Sequence, residues 1–168
     1  MMRIPLTQGQ QALIDAVDLP LVARYRWYAS RDGERYYAKA NVRVAGKWTT
    51  FRMHRLILGL RPGGPEIDHR NGNSLDNHRT NLRVATHSQN KANSIGQPTR
   101  RRSKYKGVGW HRDPRLKIGG RWRVRLGING GTIERYAMSE VAAATLYNEL
   151  AVRHFGEFAR LNSLGGTP

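Results

Sequence analysis

Asp68-His69-Arg70-Asn71-Gly72-Asn73, followed by Asp76-Asn77-His78-Arg79-Thr80-Asn81-Leu82-Arg83 and then by Asn90, places an acid, an imidazole and several amides at short intervals. These are the residue types that phosphodiester chemistry needs. The anionic ester repels a nucleophile, so a base must activate water and a cation must absorb charge on the leaving oxygen. His69 suits the base. Asp68 and Asn90 offer the hard oxygens that magnesium prefers, with water and phosphate filling its other positions. Adjacent residues of a strand point to opposite faces, so Asp68 and His69 reach one point only if the strand bends or runs into a loop. Asn71-Gly72 suits a tight turn with positive φ.

Taken alone, an Asp-His pair is usually solvated and Asn-Gly usually only turns the chain. The ordered set Asp-His, Asn-Gly, Asp-Asn and Asn-Leu-Arg is more specific, and over residues 68–90 it resembles the HNH nuclease motif, with His69, Asn81 and Asn90 at its three named positions. The resemblance implies two antiparallel strands and a helix around one divalent ion, Mg2+ or Mn2+. It makes His69 the general base, and Asn81 the residue that orients the histidine and ties down the loop. Asp68, ending the first strand, and Asn90, on the helix, become the metal ligands. Arg83 becomes a phosphate clamp. His78 stands where many relatives carry arginine.

Composition agrees with a polyanionic substrate. The 168 residues carry 29 Lys and Arg against 12 Asp and Glu, a net charge of +17. A chain so charged repels itself and is drawn to nucleic acid. No apolar run approaches the roughly 20 residues of a membrane span and no signal-peptide pattern opens the chain, so a cytoplasmic protein is expected. With no cysteine there are no disulfides, and no zinc knuckle is expected.

Residues 1–90 hold 14 basic and 7 acidic side chains, and residues 91–168 hold 15 and 5. Both parts are therefore expected to touch DNA. Residues 91–104 lack apolar periodicity and include Arg100-Arg101-Arg102, which reads as a basic linker contacting phosphates. In the first part, Tyr36 to Val44 alternate as a half-buried strand, Ala45-Gly46-Lys47 turns the chain, and Trp48 to Met53 return. His54 to Leu60 form a short helix that ends before Pro62. His54-Arg55 resembles a pair that precedes the nuclease motif in many relatives, with His54 a buried structural histidine. Leu13, Ile14, Leu19, Leu21, Val22 and Trp27 supply further core.

The second part begins at Tyr105. Residues 105–110, 121–126 and 131–137 read as three strands and Ser139 as the N-cap of a helix. That helix carries Ala143, Ala144, Tyr147, Leu150, Ala151 and Phe155 at helical spacing and stops at Gly156. Arg121, Arg123 and Arg125 alternate with Trp122, Val124 and Leu126, which makes one strand face apolar and the other a guanidinium row suited to phosphates or guanines. Tyr105-Lys106-Gly107-Val108, Arg121-Trp122, the Ala143-Ala144 helix and Phe155 to Asn162 together resemble the Apetala-two, or ethylene-response-factor, DNA-binding domain. That resemblance implies a sheet laid in the major groove, contacting DNA through Lys106, Trp110, Arg112, Arg121, Arg123 and Arg125. Gly109 replaces an arginine common in plant members, so their target preference does not transfer.

The fold class expected is α+β: a ββα-metal nuclease domain with a β-rich extension over residues 1–90, the linker over 91–104, a three-stranded antiparallel sheet packed on one helix over 105–162, and a tail over 163–168. Joined in this way, the two resemblances match phage- and intron-borne homing endonucleases acting on double-stranded DNA. One HNH unit cuts one strand; dimers or successive nicks cut both, and the chain carries no signal of oligomeric state. Two other classes compete. A DNA-binding regulator with an inert nuclease unit predicts no plasmid cleavage with magnesium. An RNA-binding or packaging protein leaves the spaced motif as coincidence and predicts a preference for RNA, whose deep, narrow major groove admits a sheet poorly.

Overall fold

The computed structural model describes residues 2–95 and 103–165. The chain forms two compact units, Met1–Thr86 and His87–Pro168. The linker arginines Arg100, Arg101 and Arg102 lie outside the described residues.

The first unit opens with a hairpin that alternation in the sequence did not reveal, β1 (Met2–Pro5) and β2 (Gln11–Ile14). A short α1 (Leu19–Val22) leads to an antiparallel sheet of β3 (Tyr28–Asp32), β4 (Arg35–Val44) and β5 (Lys47–Arg52). Ala45 and Gly46 turn β4 into β5 with φ of 47° and 80°. This mirror-image turn matches the right-handed twist of the strands it joins. α2 (Met53–Ile57) follows directly, and then the hairpin of β6 (Glu66–His69) and β7 (Leu82–Ala85).

Ile14, Val22, Trp27, Ala38, Ala40, Met53, Ile57, Ile67 and Leu82 form the core of this unit. Leu13, Leu19 and Leu21 are only half-buried. The β2 hairpin strand serves the nuclease motif directly, because Leu13 N–H donates to Leu75 O at 2.8 Å and Asn77 N–H donates to Leu13 O at 2.8 Å. Arg79 adds a second tie, its Nε and Nη2 donating to Asp18 at 3.1 and 2.6 Å while its backbone N–H donates to Asp15 at 2.8 Å. Asp18 is buried. Arg79→Ala is expected to destabilise this unit by about 1–3 kcal/mol in urea denaturation, since the Asp18 carboxylate is left without its ionic partner.

The second unit begins with α3 (His87–Asn93) and continues with β8 (Val108–Arg112), β9 (Gly120–Ile128), β10 (Gly131–Ala137) and α4 (Glu140–Phe155). The sheet is antiparallel with β9 central. Ser139 caps α4 by accepting from Ala142 N–H at 3.1 Å, and Gly156 ends it at φ 51°. Val108, Val124 and Leu126 from the sheet pack with Ala143, Ala144, Tyr147, Leu150, Ala151 and Phe155 of the helix. Gly107 is required where it stands: its φ is +72°, and a Cβ there would lie 2.2 Å from the Tyr147 ring. Asn162 locks the end of the chain, exchanging hydrogen bonds with the Lys106 backbone at 2.7 and 3.1 Å and with the Asn148 side chain at 2.7 and 2.9 Å.

Where the sequence predicts a linker from residue 91, α3 runs on to Asn93 and Ala92 joins the core of the second unit. Two ties hold it there. Asn129 N–H, in the β9–β10 turn, donates to Ser88 Oγ at 2.8 Å, and Lys106 Nζ donates to Ala92 O and, at 2.7 Å, to Ser94 O. An ammonium at a helix C-terminus satisfies carbonyls that the helix itself leaves open.

Candidate active site

β6 and β7 pair so that Asp68 faces Arg83 and His69 faces Leu82 across the ladder. Partners on one face of an antiparallel pair lie close enough to interact, and this pair does. Arg83 Nε donates to Asp68 Oδ2 at 2.8 Å and its Nη2 lies 2.7 Å from the same oxygen. Asp68 is 4% and Arg83 8% exposed. The Arg83 guanidinium is buried against the carboxylate, where it orients Asp68 and compensates its charge.

His69 is the last residue of β6, and the chain turns at once, Gly72 N–H donating to His69 O at 2.8 Å with φ 78° at Gly72. The loop expected beside the Asp-His pair is thus present. Alternation sends the imidazole to the other side of the strand from Asp68. There it meets His54 of α2, ring centroids 5.2 Å apart and nearly perpendicular, and Tyr37 of β4 at 6.4 Å. Burial lowers the His69 pKa to about 4, against an Asn77 hydrogen bond and the charges of Asp68 and Asp76, which raise it. The imidazole is therefore in its neutral, proton-accepting form at neutral pH.

Asn81 holds the loop rather than the ring. Its Oδ1 accepts from Asn71 N–H at 3.0 Å, its Nδ2 donates to Asp76 O at 2.7 Å, and its carbonyl accepts from Arg70 N–H at 2.9 Å. Asn77, only 1% exposed and missed as a functional residue in the sequence, hydrogen-bonds the His69 side chain. Its place in the Asp-Asn element was the available signal. His78 Nδ1 lies 2.5 Å from Asp76 Oδ1, so this histidine braces the loop. Asn90 is half-buried on α3, in the second unit.

Burial, then the neighbouring His69, Arg52 and Arg55, lower the His54 pKa to about 3 from its usual 6.5. An unfolded chain would take up that proton near 6.5, so between about 6.5 and 3 the unfolded state binds more protons and acid weakens the fold. Urea denaturation of the full chain should show stability falling as pH drops from 7 towards 4.5, with a shallower fall in His54→Gln.

As for a metal, among the described residues no three His, Cys, Asp or Glu side chains converge. A site here relies on few protein donors. That fits a hard divalent ion, which typically takes one or two carboxylates and completes its shell with water and substrate phosphate. Within the first unit, the Asp68 carboxylate is a donor of that kind.

On the sheet of the second unit, the register aligns Arg123 with Gly109 and Tyr136, Arg121 with His111, and Arg125 with Glu134. These residues share one face. The row is not bare: Arg121 stacks 4.0 Å over the Tyr136 ring and lies 3.5 Å from Asp113, while Glu134 lies 3.9 Å from Arg123 and 3.5 Å from Arg125. Trp110 and Arg112 pair with Trp122 and Gly120, which puts them on the opposite face from the arginine row. Trp110 packs edge-on against Trp122 at 5.3 Å. Lys106 bonds the end of α3 and is likewise not part of the row. Its burial lowers the ammonium pKa to about 8. Lys106→Met should cost the second unit about 1–3 kcal/mol in thermal or urea unfolding, because buried carbonyls lose their donor.

The HNH endonuclease family profile matches residues 52–92, from the end of β5 to the last turn of α3. Along nearly its full length, the chain is similar to an uncharacterised HNH endonuclease of Acanthamoeba polyphaga mimivirus, at 31% identity over 160 residues that cover 94% of this chain and 77% of the relative. This chain belongs to the HNH endonuclease family. Membership implies a nuclease, and it places His54, Asp68, His69, Asn77, Asn81, Arg83 and Asn90 all inside the matched segment. No solved structure matches the chain significantly. None of the described helices is long and apolar enough to cross a membrane.

Proposed function

We propose that the protein is a site-specific, homing-type endonuclease that hydrolyses double-stranded DNA to 5′-phosphate and 3′-hydroxyl ends. The observation that carries this reading is His69, buried and neutral at the end of β6 beside Asp68, within the segment that matches the family. Neutral His69 accepts the proton of the attacking water as the new P–O bond forms and the bond to the 3′-oxygen breaks. Asn77 and the edge-on ring of His54 restrain the imidazole. Arg83 fixes the carboxylate of Asp68. A divalent cation, Mg2+ or Mn2+, would take the Asp68 carboxylate as a ligand and would supply charge neutralisation at the leaving oxygen. The ligand role expected of Asn90 rests on the family pattern, and Asn90→Ala should blunt the magnesium dependence of cutting.

The second unit is proposed to recognise the target as a domain of the Apetala-two type, through Arg121, Arg123 and Arg125. Glu134 and Tyr136 space and orient these guanidinium groups, and Gly109 leaves open room on the same face, since a Cβ there meets nothing within 4 Å. Arg123→Ala or Arg125→Ala should cost about 1–3 kcal/mol at the cognate duplex and little on a scrambled one. Linker variants at Arg100, Arg101 or Arg102 should weaken both duplexes alike and lower the salt dependence by about one unit per lost contact. Equal losses on both duplexes from the strand variants would reduce the sheet to an electrostatic anchor.

Plasmid cleavage with magnesium or with excess chelator, followed by mapping of the cut ends, tests the whole reading. Cutting with 5′-phosphate ends in magnesium and none in chelator is expected. An intact plasmid at saturating protein and metal would leave a DNA-binding protein with an inert nuclease unit.

A further inference from the structure

In the first unit, β5, α2 and the loop after α2 line an open cavity of about 260 Å³. Its walls include Phe51, Leu56, Leu60 and Pro62, and the guanidinium-bearing side chains of Arg52, Arg55 and Arg61 stand around it. The two kinds of residue are differently committed. Arg55 is spent on the fold, donating to Arg61 O at 2.8 and 3.1 Å and to Pro65 O at 2.9 Å, which holds the loop in place. Arg52 and Arg61 are exposed, and among the described residues neither has a carboxylate in ion-pair range.

An apolar hollow below the usual 300–1,000 Å³ of a drug-sized site, with two exposed cations in its lining, suits one flat ring system carrying phosphate on either side. The cavity also neighbours the chemistry. Arg52 lies 5.7 Å over the Tyr37 ring, and that ring meets both His54 and His69 edge-on at 6.0 and 6.4 Å. One helix, α2, thus turns His54 towards the proposed base and Leu56 and Arg55 towards the cavity.

We propose that this cavity receives one unstacked nucleobase of the DNA substrate, next to the scissile phosphate, while Arg52 and Arg61 hold the phosphates flanking that nucleotide. The inference rests on the reading of the chain as a DNA nuclease and adds to it a subsite for a single base. A base drawn out of the stack is held by apolar walls as other extruded bases are, and the exposed step of the duplex is fixed against the imidazole. Selectivity follows, because steps that unstack easily enter at lower cost.

The test uses the full chain and duplexes spanning the mapped cut, with 2-aminopurine placed in turn at each position around it and chelator present to hold the complex uncut. Emission of 2-aminopurine rises when the base leaves the stack. A rise at one position near the cut is expected with the natural chain. It should be lost in Thr50→Trp, which fills the cavity from an exposed strand position, and in the double variant Arg52→Ala/Arg61→Ala, each checked for an unchanged melting temperature. No rise at any position, in a duplex that is bound and then cut once magnesium is restored, overturns the subsite while leaving the nuclease intact and leaves the cavity to an apolar anchor of a protein partner. A rise that survives in folded Thr50→Trp also overturns it. A duplex neither bound nor cut overturns both readings together.

Discussion

His69→Ala is expected to lower cleavage roughly 10²–10⁴-fold at saturating enzyme while leaving duplex affinity nearly unchanged, because a general base acts on water and not on the duplex. Single-turnover cleavage and a binding titration in chelator separate the two effects. Burial holds the His69 pKa at about 4, so the imidazole is unprotonated at neutral pH. Asn77→Ala should fall between the variant and the natural chain, since it removes the hydrogen bond that restrains the ring and leaves the ring itself in place. Undiminished cutting by His69→Ala would take the base away from His69 and leave His54, the adjacent buried imidazole, as the residue to examine.

The proposed catalytic elements could be named from the sequence because their chemistry is local in it. Asp68-His69, the Asn71-Gly72 turn and Asn81-Leu82-Arg83 sit within one hairpin, so their spacing already constrains what they can reach. The bond of Asn77 to His69 and the pairing of Arg83 with Asp68 were not legible, for a different reason. Whether a polar side chain faces solvent or the interior depends on the elements packed over it, and here β2 covers the loop through Leu13, a residue 64 positions from Asn77 in the chain. The sheet of the second unit was readable from alternation, since Arg121, Arg123 and Arg125 must share a face. Trp110 and Arg112 were set beside them because only the register between β8 and β9 shows which face each residue takes. The helix that carries Asn90 was expected only from the family resemblance and not from periodicity: seven residues, with Ala92 the only buried apolar side chain of α3, give no amphipathic pattern, and Lys106 and Asn129 tie it down from further along the chain.

Arg83→Met is expected to destabilise the first unit by about 3–5 kcal/mol, the cost of leaving a buried carboxylate without its cation. The variant's stability should depend on divalent metal more strongly than the natural chain's does. In the natural chain the guanidinium already compensates Asp68, so a bound cation adds less to the fold's stability there. In Arg83→Met a bound cation would compensate the charge on Asp68, and any ligand that binds the folded state alone raises stability in proportion to the logarithm of its concentration. Thermal melting of the variant should therefore shift upward between chelator and excess magnesium by more than that of the natural chain. Cleavage should drop as well, because an unrestrained carboxylate no longer presents its oxygens in one geometry. Asp68→Asn separates the two roles, keeping the shape and a hydrogen-bond acceptor for Arg83 while removing the charge a metal needs. Equal magnesium shifts in all three proteins would show that Asp68 serves the fold alone, and the metal would then have to be held by other donors.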